Sequence, residues 1–502
     1  MAPYFLALDA GTGSGRAAIF DARGRLLACA AREWSYEIAQ YPGDFVPGHQ
    51  FDAEKFWAIL CGATREALER AKIPAREIAG VAATSQREGS VFLDAEGREL
   101  LATPNYDSRG FMEGVEVLER LGGPERLYHL TGHVPPFIFA LSRLLWWRKR
   151  FPEQPVATTL MISDWVTYRL TGERVAEPTN AVESLLCDVS TLRWSEEIAE
   201  ACELPRSLLP TLVACGARAG RVHAVAAAAT GIVEGTPVFA GGADTQCALL
   251  GSGVVAADEA GAVLGTTGPV QRVLESPVFD DARHLWVGAH VIPGRWILES
   301  NAGDLGKAYL WMLQLFGFAP ENAADFARIE AEAESAGLEA PVYAFLGPSI
   351  FDLRSLNPGR AAGMLFPYPF GRRRPKRAEF LLGFLENVAY AVRANLEQLE
   401  AATGKKVDHL TVSGGMTQSR LLCRLISQVT QIPLHVSRVI ETAALGCALL
   451  AGTGAGVYRD LDDAVTTAVA HDTIAPVDPG PYQARYKTWR ELFATLNAIT
   501  VP

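Results

Sequence analysis

The sequence lacks the patterns of a disulfide scaffold and of a structural metal site. Its eight cysteines are scattered along 502 residues and never form a C-x-x-C pair, which is too few for a disulfide framework of this length. The nine histidines include no H-E-x-x-H and no His/Cys cluster at zinc spacing. We therefore expect reduced thiols and a cytoplasmic location, and we expect any metal to be Mg²⁺ on carboxylate and phosphate oxygens.

Long apolar runs and an excess of positive charge are also missing. The longest apolar stretch, residues 443–457, is broken by four glycines and is shorter than the roughly 20 residues of a membrane-spanning helix. The N-terminus has no basic region ahead of its apolar run, so we expect no secretory signal. A formal net charge of −11 argues against a general nucleic-acid binder. The expected partners therefore include neither membrane nor nucleic acid.

Composition and strand signals indicate an α/β protein of repeated design. With 49% hydrophobic and 21% charged residues, the chain is long enough for two or three globular domains. Hairpin-linked strands followed by alternating helices and strands predict a mixed sheet, and a similar opening recurs near residue 260. We therefore expect two related α/β domains facing across a cleft. The predicted elements are strands at 4–9, 16–21, 26–34, 78–84, 237–240, 262–266, 270–275, 296–299 and 409–413, and helices beginning near Asp52, Gln246, Gly303, Pro375 and Gln418.

Two glycine-rich corners carry similar chemistry. Leu8–Arg16 ends a strand with Asp9 and turns through three glycines and two hydroxyl side chains, and Gly265–Gly268 resembles it in the second half. Backbone N–H groups and hydroxyls in such turns can bind phosphate oxygens. Either corner alone could be a plain hairpin, but the two together predict a phosphate clamp with one side from each half.

Asp244 follows the predicted strand at 237–240 and two glycines. A carboxylate just past a buried strand end, beside glycines that let a ligand approach, suits a general base. The same residue could instead be the N-cap of a helix beginning at Gln246. The sequence alone leaves both interpretations open.

Polar side chains concentrate in Gln86–Gly89 and Asn105–Arg109. They could bind several hydroxyls of a polyhydroxylated ligand, or they could form surface salt bridges. The glycines of Ser413–Met416 could let a flat ring or a ribose pack against the backbone, or they could mark an ordinary strand-to-helix turn. The basic tract 371–377 is expected to be a solvated loop, with a positive lip over a phosphate site as the alternative.

Six motifs along the whole chain resemble those of the FGGY carbohydrate kinases. The resemblance implies a two-domain α/β fold of the actin/hexokinase/Hsp70 (ribonuclease H-like) ATPase type with a cleft between the domains. It also implies ATP and Mg²⁺ as cofactors and phosphoryl transfer to a hydroxyl of a small sugar or polyol acceptor. Met161–Trp165 and His290–Gly294 further resemble the autoinducer-2 kinases, which implies dihydroxypentanedione as the acceptor. The six motifs are Asp9–Arg16, Arg87-Glu88, Gly241–Gln246, Gly265–Gly268, Gly414-Gly415 and Glu441–Gly446.

The resemblance also implies a role for each matching position. Asp244 is implied as the catalytic base, and Asp9 and Asp244 as the residues that hold Mg²⁺. The residues implied in nucleotide binding are Thr12, Gly13, Ser14, Arg16, Gly265, Thr266, Thr267, Gly306, Gly414 and Gly415. The residues implied in acceptor binding are Arg87, Glu88, Asn105, Asp107, Asp244 and Gln246.

Two other functions stay open on the same motifs. A pentulose kinase such as a xylulokinase would share every nucleotide motif, and a non-catalytic nucleotide-binding sensor would share the fold. We expect an N-terminal domain over 1–242, with the acceptor site and the first phosphate loop, and a C-terminal domain over 243–502, with the second phosphate loop and the adenosine site. A homodimer is left open.

Overall fold

The computed structural model describes residues 3–282, 284–320, 322–337, 341–353, 361–367 and 374–500. Among these residues, no helix is both long enough and apolar enough to cross a membrane. Residues 371–373 of the basic tract lie outside the described residues.

The first half of the chain alternates strands and helices up to a helix that leads into the second half. Its strands are β1 (Tyr4–Ala10), β2 (Ser14–Asp21), β3 (Leu26–Glu33), β4 (Glu37–Ala39), β5 (Gly48–Gln50), β6 (Ile78–Ser85), β7 (Ser90–Leu93), β8 (Glu99–Thr103), β9 (Thr158–Met161), β10 (Val175–Ala176), β11 (Cys187–Asp188), β12 (Arg193–Trp194), β13 (Thr211–Leu212), β14 (Arg218–Arg221) and β15 (Pro237–Ala243). Its helices are α1 (Ala53–Ala71), α2 (Phe111–Arg120), α3 (Pro124–Thr131), α4 (Ala140–Arg150), α5 (Ile162–Thr171), α6 (Pro178–Val182), α7 (Glu196–Ala201), α8 (Ala224–Thr230) and α9 (Asp244–Gly251).

The second half repeats the alternation and ends in a helix. Its strands are β16 (Ala260–Val263), β17 (Thr267–Leu274), β18 (Trp286–Ala289), β19 (Trp296–Asp304), β20 (Tyr343–Phe345), β21 (Gly363–Leu365), β22 (Leu410–Ser413), β23 (Leu434–Ser437) and β24 (His471–Ile474). Its helices are α10 (Gly306–Leu315), α11 (Ala323–Glu334), α12 (Arg377–Thr403), α13 (Arg420–Thr430), α14 (Thr442–Gly454), α15 (Leu461–Ala468) and α16 (Tyr482–Asn497). Short 3₁₀ helices lie at Ala75–Glu77, Pro136–Ile138, Arg206–Leu208 and Gly415–Gln418.

Two mixed sheets share one design. In the described residues the first has the strand order β14-β15-β6-β1-β2-β3, and the second has the order β18-β19-β17-β16-β22-β23-β24. In each sheet three parallel strands (β15, β6, β1 and β23, β22, β16) continue into antiparallel strands (β2, β3 and β17, β19). The two halves therefore repeat the same strand order, as the recurring strand–turn–strand pattern predicts.

Strand β1 lies in the middle of its sheet, between β6, which is parallel to it, and β2, which is antiparallel to it, and it is buried on both faces. Successive side chains point to opposite faces, so Leu6 packs with Leu60 of α1, and Phe5 packs with Leu445 of α14. Helix α1 begins as predicted after Asp52, whose side chain accepts a hydrogen bond from the backbone N–H of Lys55 at 3.1 Å.

Helices α9 and α14 cross between the two sheets with their backbones in contact. Gly251 faces the carbonyl oxygen of Thr442, and Gly446 faces that of Cys247, so closely that a β-carbon at either glycine would overlap the oxygen. Glycine is required at this crossing because it carries no side chain. The close crossing brings the carboxyl ends of the parallel strands of both sheets toward one cleft.

Several predicted element bounds differ in the structure, two of them at the second glycine-rich corner. The strand predicted at 262–266 is β16, which ends at Val263, because the chain then turns back toward β17. The helix predicted near Gly303 is α10, which begins at Gly306, because β19 continues to Asp304. Both differences lie at the edge of the cleft, where turns replace regular structure.

Candidate functional site

A cleft of about 680 Å³ lies between the ends of the two sheets. It collects residues from distant parts of the chain, including most of the predicted site. The predicted site residues that line it are Asp9, Thr12, Gly13, Ser14, Arg16, Arg87, Glu88, Asn105, Asp244, Gly265, Thr266, Thr267, Gly414 and Gly415.

The first glycine-rich corner is the turn between β1 and β2. The Trp34 indole N–H donates to the Gly11 carbonyl at 3.2 Å, and the Tyr36 hydroxyl donates to the Thr12 carbonyl at 2.7 Å. The backbone N–H of Gly11 donates to the Ser14 carbonyl at 3.1 Å, which closes the turn. These carbonyl oxygens already accept hydrogen bonds from within the protein. The remaining groups of the turn therefore face the cleft.

The second corner is the turn between β16 and β17, and the start of α10 holds it in place. The backbone N–H of Gly306 donates to the Gly265 carbonyl at 3.0 Å, and that of Leu305 donates to the Thr266 carbonyl at 2.8 Å. The side chains of Thr266 and Thr267 are exposed toward the cleft. The two corners therefore face one cavity, which is the geometry that a clamp on phosphate groups requires.

Gly414 and Gly415 lie at the end of β22, on the second half's side of the cleft. Gly414 has φ of 94°, a conformation that L side chains rarely adopt, and a β-carbon there would come within 2.7 Å of the Leu264 carbonyl oxygen. The turn therefore exposes bare backbone, against which a flat group can pack.

Asp9 and Asp244 provide two carboxyl groups at the cleft, and the charge of Asp9 acts on Asp244. Asp9 accepts a hydrogen bond from Arg16 at 3.0 Å through one oxygen, while its other oxygen is buried without a partner in the structure. Burial raises the pKa of Asp9 although Arg16 opposes the shift. Burial, reinforced by the charge of Asp9, raises the pKa of Asp244 to about 7. A carboxyl group with such a pKa is suited to proton transfer near neutral pH.

Asp244 is the first residue of α9, and Ala243 is the N-cap. The N-cap interpretation of Asp244 is therefore wrong, because β15 runs directly into the helix two residues earlier than the sequence predicts. The N–H of Ala243 donates to the Thr179 hydroxyl oxygen at 2.8 Å, and that hydroxyl donates to Glu177 at 2.6 Å. These bonds fix the backbone from which Asp244 projects.

Arg87 and Glu88 follow β6 and are buried, which excludes the surface salt-bridge interpretation. Arg87 forms a bidentate ion pair with Glu299 of the second half, at 2.6 and 2.8 Å. Burial, reinforced by neighbouring carboxylates, raises the pKa of Glu88 well above its usual range despite Arg87. A protonated carboxyl group can donate as well as accept a hydrogen bond, which suits it to a hydroxyl or carbonyl ligand.

Asn105 links Gln86 to the first corner. Its backbone N–H donates to Gln86 at 3.1 Å, and its side-chain amide donates to the Thr12 hydroxyl at 3.3 Å. Its side-chain oxygen is buried without a partner in the structure. A hydroxyl group of a ligand in the cleft can satisfy that oxygen.

Three predicted site residues are not among the described residues that line the cleft. Asp107 is fully buried and pairs with Arg109 at 2.9 Å. Gln246 is also buried, and its oxygen accepts a hydrogen bond from the Thr245 hydroxyl at 2.6 Å. Gly306 supports the second corner through its backbone. The geometry therefore supports indirect roles for these residues, and their part in binding stays a prediction.

Several residues of the site were missed by sequence reasoning. Lys307 and Glu441 line the cleft. Lys307 follows Gly306 directly, so its position at a helix start could have indicated it as a site residue.

Arg143 of α4 is fully buried. Its Nη1 donates to the Pro104 carbonyl at 2.8 Å, and its Nη2 donates to the Glu88 carbonyl. Arg143 thereby ties together the two loops that carry the residues predicted to bind the acceptor.

The carboxylates of the cleft fit a divalent cation that takes most of its coordinating oxygens from a bound ligand. Among the described residues, no group of three or more His, Cys, Asp or Glu is arranged to hold a metal ion. The unpartnered oxygen of Asp9 leaves one carboxylate contact available. Mg²⁺ is commonly held by one or two carboxylates, water and substrate phosphates, so this donor set agrees with the predicted role of Asp9.

Family models match both halves of the chain. The N-terminal domain of the FGGY family of carbohydrate kinases matches residues 4–251, and the C-terminal domain of that family matches residues 260–455. The predicted division between residues 242 and 243 stays a prediction.

Similar proteins cover almost the full length. The chain is 32% identical to an autoinducer-2 kinase from Salmonella typhimurium, over 99% of this chain and 95% of that protein. It is 34% identical to an autoinducer-2 kinase from Yersinia pseudotuberculosis, over 91% of this chain and 87% of that protein.

Among solved structures, a xylulose kinase from Rhodospirillum rubrum matches with a TM-score of 0.82 at 23% identity, over 98% of this chain and 99% of that one. Plasmodium falciparum glycerol kinase, solved with ADP, also gives a TM-score of 0.82 at 19% identity, over 100% of this chain and 99% of that one. The predicted two-domain kinase fold is thereby confirmed.

Proposed function

Because the chain belongs to the FGGY family of carbohydrate kinases and is a phosphotransferase acting on a hydroxyl group, we propose that it transfers the γ-phosphoryl group of ATP to autoinducer-2 in its linear dihydroxypentanedione form. The observation that carries the proposal is the cleft itself. Two turns suited to phosphate, a carboxyl group suited to proton transfer and unsatisfied polar atoms for a hydroxylated acceptor all face one cavity. The relatives named autoinducer-2 kinase support this choice of acceptor.

The nucleotide phosphates would lie between the two corners. Thr12, Gly13, Ser14 and Arg16 would bind them from one side, and Gly265, Thr266 and Thr267 from the other, with Lys307 adding positive charge. The bare backbone at Gly414 and Gly415 would flank the adenosine, and Gly306 would hold the second corner. Asp9 and Asp244 would hold Mg²⁺, which when bound offsets negative charge on the phosphates.

Asp244 would accept the proton of the acceptor hydroxyl. As the hydroxyl oxygen forms its bond to the γ-phosphorus, the bond from that phosphorus to the ADP oxygen breaks, and the proton passes to the Asp244 carboxylate. Glu88, Asn105 and Arg87 would bind the remaining oxygens of the acceptor. The protein contributes mainly by positioning the reactants and stabilising charge.

We expect kcat/KM for the acceptor to rise with pH and to reach half of its plateau near pH 7, because the pKa of Asp244 is raised to about 7. Only the carboxylate form can take the proton, so activity is lost as the pH falls through this value. The measurement is initial-rate kinetics from about pH 5 to about pH 9 with the coupling enzymes in excess at every pH. A profile that is flat or falls across this range would remove Asp244 from the role of base.

A pentulose kinase is the second candidate, supported by the full-length structural match to xylulose kinase. A non-catalytic sensor is disfavoured, because Asp244 faces a polar pocket that nucleotide sensing does not need. The test is ADP release on adding dihydroxypentanedione, xylulose, ribulose, erythritol or glycerol. We expect the highest kcat/KM with dihydroxypentanedione. A higher value with xylulose or ribulose would establish the pentulose kinase instead, and no stimulation by any acceptor would favour the sensor.

The remaining predictions concern compartment and assembly. All eight cysteines carry free thiols, which supports a proposal of a reducing, cytoplasmic location. A small-molecule acceptor as the partner is part of the proposed function, and a homodimer remains a prediction.

A further inference from the structure

One ion pair joins the two halves of the chain beside the acceptor side of the cleft. Arg87 lies at the end of β6 in the first half, and Glu299 lies in β19 of the second half, 212 residues further on. The Glu299 side chain is 1% exposed and that of Arg87 is 9% exposed. An arginine and a carboxylate paired in this bidentate way hold each other in one fixed plane.

The contacts of Arg87 determine which of its hydrogens are available to a ligand. Nη1 contacts Glu299 at 2.6 Å and Glu183 at 3.4 Å, and Nη2 contacts Glu299 at 2.8 Å. A guanidinium has five N–H donors, so these three contacts leave the Nε hydrogen and one Nη2 hydrogen. Nε is 3.8 Å from the Glu88 carboxyl oxygen, which is too long for a hydrogen bond. A ligand oxygen beside both groups can therefore bond to each of them.

The second half holds Glu299 through a row of side chains across three neighbouring strands. Gln271 of β17 and Trp286 of β18 are the direct strand partners of Glu299. The Gln271 amide donates to Glu299 at 2.6 Å, and the Trp286 ring lies 5.6 Å from the Arg87 guanidinium carbon. The row of Gln271, Glu299 and Trp286 thus forms a platform on which Arg87 rests.

We propose that Glu299 is a positioning residue for the acceptor, which fixes the Arg87 guanidinium on this platform so that its Nε hydrogen and Glu88 together receive one acceptor oxygen. The proposal rests on the proposed phosphotransfer to a hydroxylated acceptor. It assigns to the second half, which supplies the second phosphate corner, a further part in acceptor recognition. Glu299 itself has no role in proton transfer.

The test compares the KM values of the acceptor and of ATP in Glu299→Gln and in the wild-type chain. The glutamine side chain carries no charge, and its single amide oxygen can accept only one of the two hydrogen bonds that Arg87 donates to Glu299. We expect the acceptor KM to rise by about tenfold or more, because Arg87 is no longer held in plane, while the ATP KM changes by less than about threefold. Glu299→Asp, which keeps the charge on a shorter stem, should give an intermediate acceptor KM.

Glu386→Gln is the matched control. Glu386 is also a buried carboxylate paired with an arginine, Arg485, but it lies in α12 and is not among the described residues that line the cleft. We expect this variant to lower the melting temperature and to leave both KM values unchanged. A control that raised the acceptor KM as much as Glu299→Gln would mean that general destabilisation, and not positioning, explains the effect.

Each other outcome also decides the proposal. Equal rises in both KM values, or an unchanged acceptor KM in Glu299→Gln, overturn it. If Glu299→Gln does not fold, Glu299→Asp and Gln271→Leu are compared in its place, and an acceptor KM within about twofold of wild type in both variants overturns the proposal.

Wild-type activity is measured with whichever acceptor of the panel gives the highest kcat/KM. Failure of every acceptor with the wild-type chain contradicts the proposed function, whereas failure of the Glu299 comparison alone contradicts only this inference.

Discussion

Replacing Asp244 by asparagine is expected to lower kcat by about 10²- to 10⁴-fold, the usual contribution of a general base, while ATP still binds. Asparagine keeps the size and shape of the side chain but cannot take a proton. It can also keep the local structure, because its oxygen can still accept the hydrogen bond that Asp244 accepts from the backbone N–H of Thr245 at 2.7 Å. A loss of rate with ATP binding retained would therefore report on the missing carboxylate, which is proposed as base and as Mg²⁺ ligand, and not on folding.

The measurement is kcat at saturating ATP and acceptor, with ATP affinity measured separately by calorimetry. Asp164→Asn is the matched control, because Asp164 is a buried carboxyl group of the same half that does not line the described cleft. Burial, reinforced by Glu177, raises the pKa of Asp164 well above its usual range, so an amide resembles its protonated form. The control should retain kcat within a few-fold. An Asp244→Asn variant as active as this control would leave Asp9 as the next carboxylate to test.

Replacing Arg143 by methionine is expected to lower the free energy of unfolding by more than about 4 kcal/mol, in the range that few single substitutions reach. The Arg143 guanidinium donates to the Thr103 hydroxyl at 2.6 Å and to the carbonyls of Pro104 and Ile138 at 2.8 and 2.7 Å, as well as to that of Glu88. Methionine fills similar volume but donates nothing. Each buried oxygen left unsatisfied costs about 1–3 kcal/mol.

The Arg143 substitution should also affect the acceptor site, since Glu88 has φ of 56°, a strained value for a residue other than glycine. Losing the bond to its carbonyl removes one restraint that keeps Glu88 in that conformation. The measurement is denaturant unfolding, with Arg148→Met of the same helix as the control. Arg148 forms one exposed bond to the Glu203 carbonyl, so we expect a change of about 0.5 kcal/mol or less there. Equal stabilities of the two variants would show that Arg143 does not hold the two acceptor loops together.

The parts of the fold that the sequence predicts well depend on local signals. The turn after β1, the N-cap at Asp52 and the strand–turn–strand near residue 260 are all marked by glycines or capping residues within a few positions. The two glycine-rich corners were predictable because each carries its own glycines and hydroxyls, and the structure places both on one cleft. The repeated strand order of the two sheets follows from the same recurring pattern.

The rest of the site depends on contacts between residues far apart in the sequence. Nothing near Arg87 reveals Glu299, and nothing near Glu88 reveals Arg143, because packing and not sequence spacing brings these pairs together. The early start of α9 at Asp244 was missed for a different reason. The strand and the helix join without a loop there, and Ala243 gives no capping signal. Asp107 is predicted with the acceptor from the polar cluster and the family resemblance, whereas its burial with Arg109 is visible only in three dimensions.

The most direct test of the proposed function is phosphorus NMR of a reaction containing the full chain, ATP, Mg²⁺ and dihydroxypentanedione. The measurement separates transfer of the phosphoryl group to the acceptor from hydrolysis by water. We predict that ADP and a new phosphomonoester appear in equal amounts, and that neither appears when the acceptor is left out. Formation of ADP and inorganic phosphate alone, at a rate that does not depend on the acceptor, would contradict the assignment of this cleft as a kinase for that acceptor.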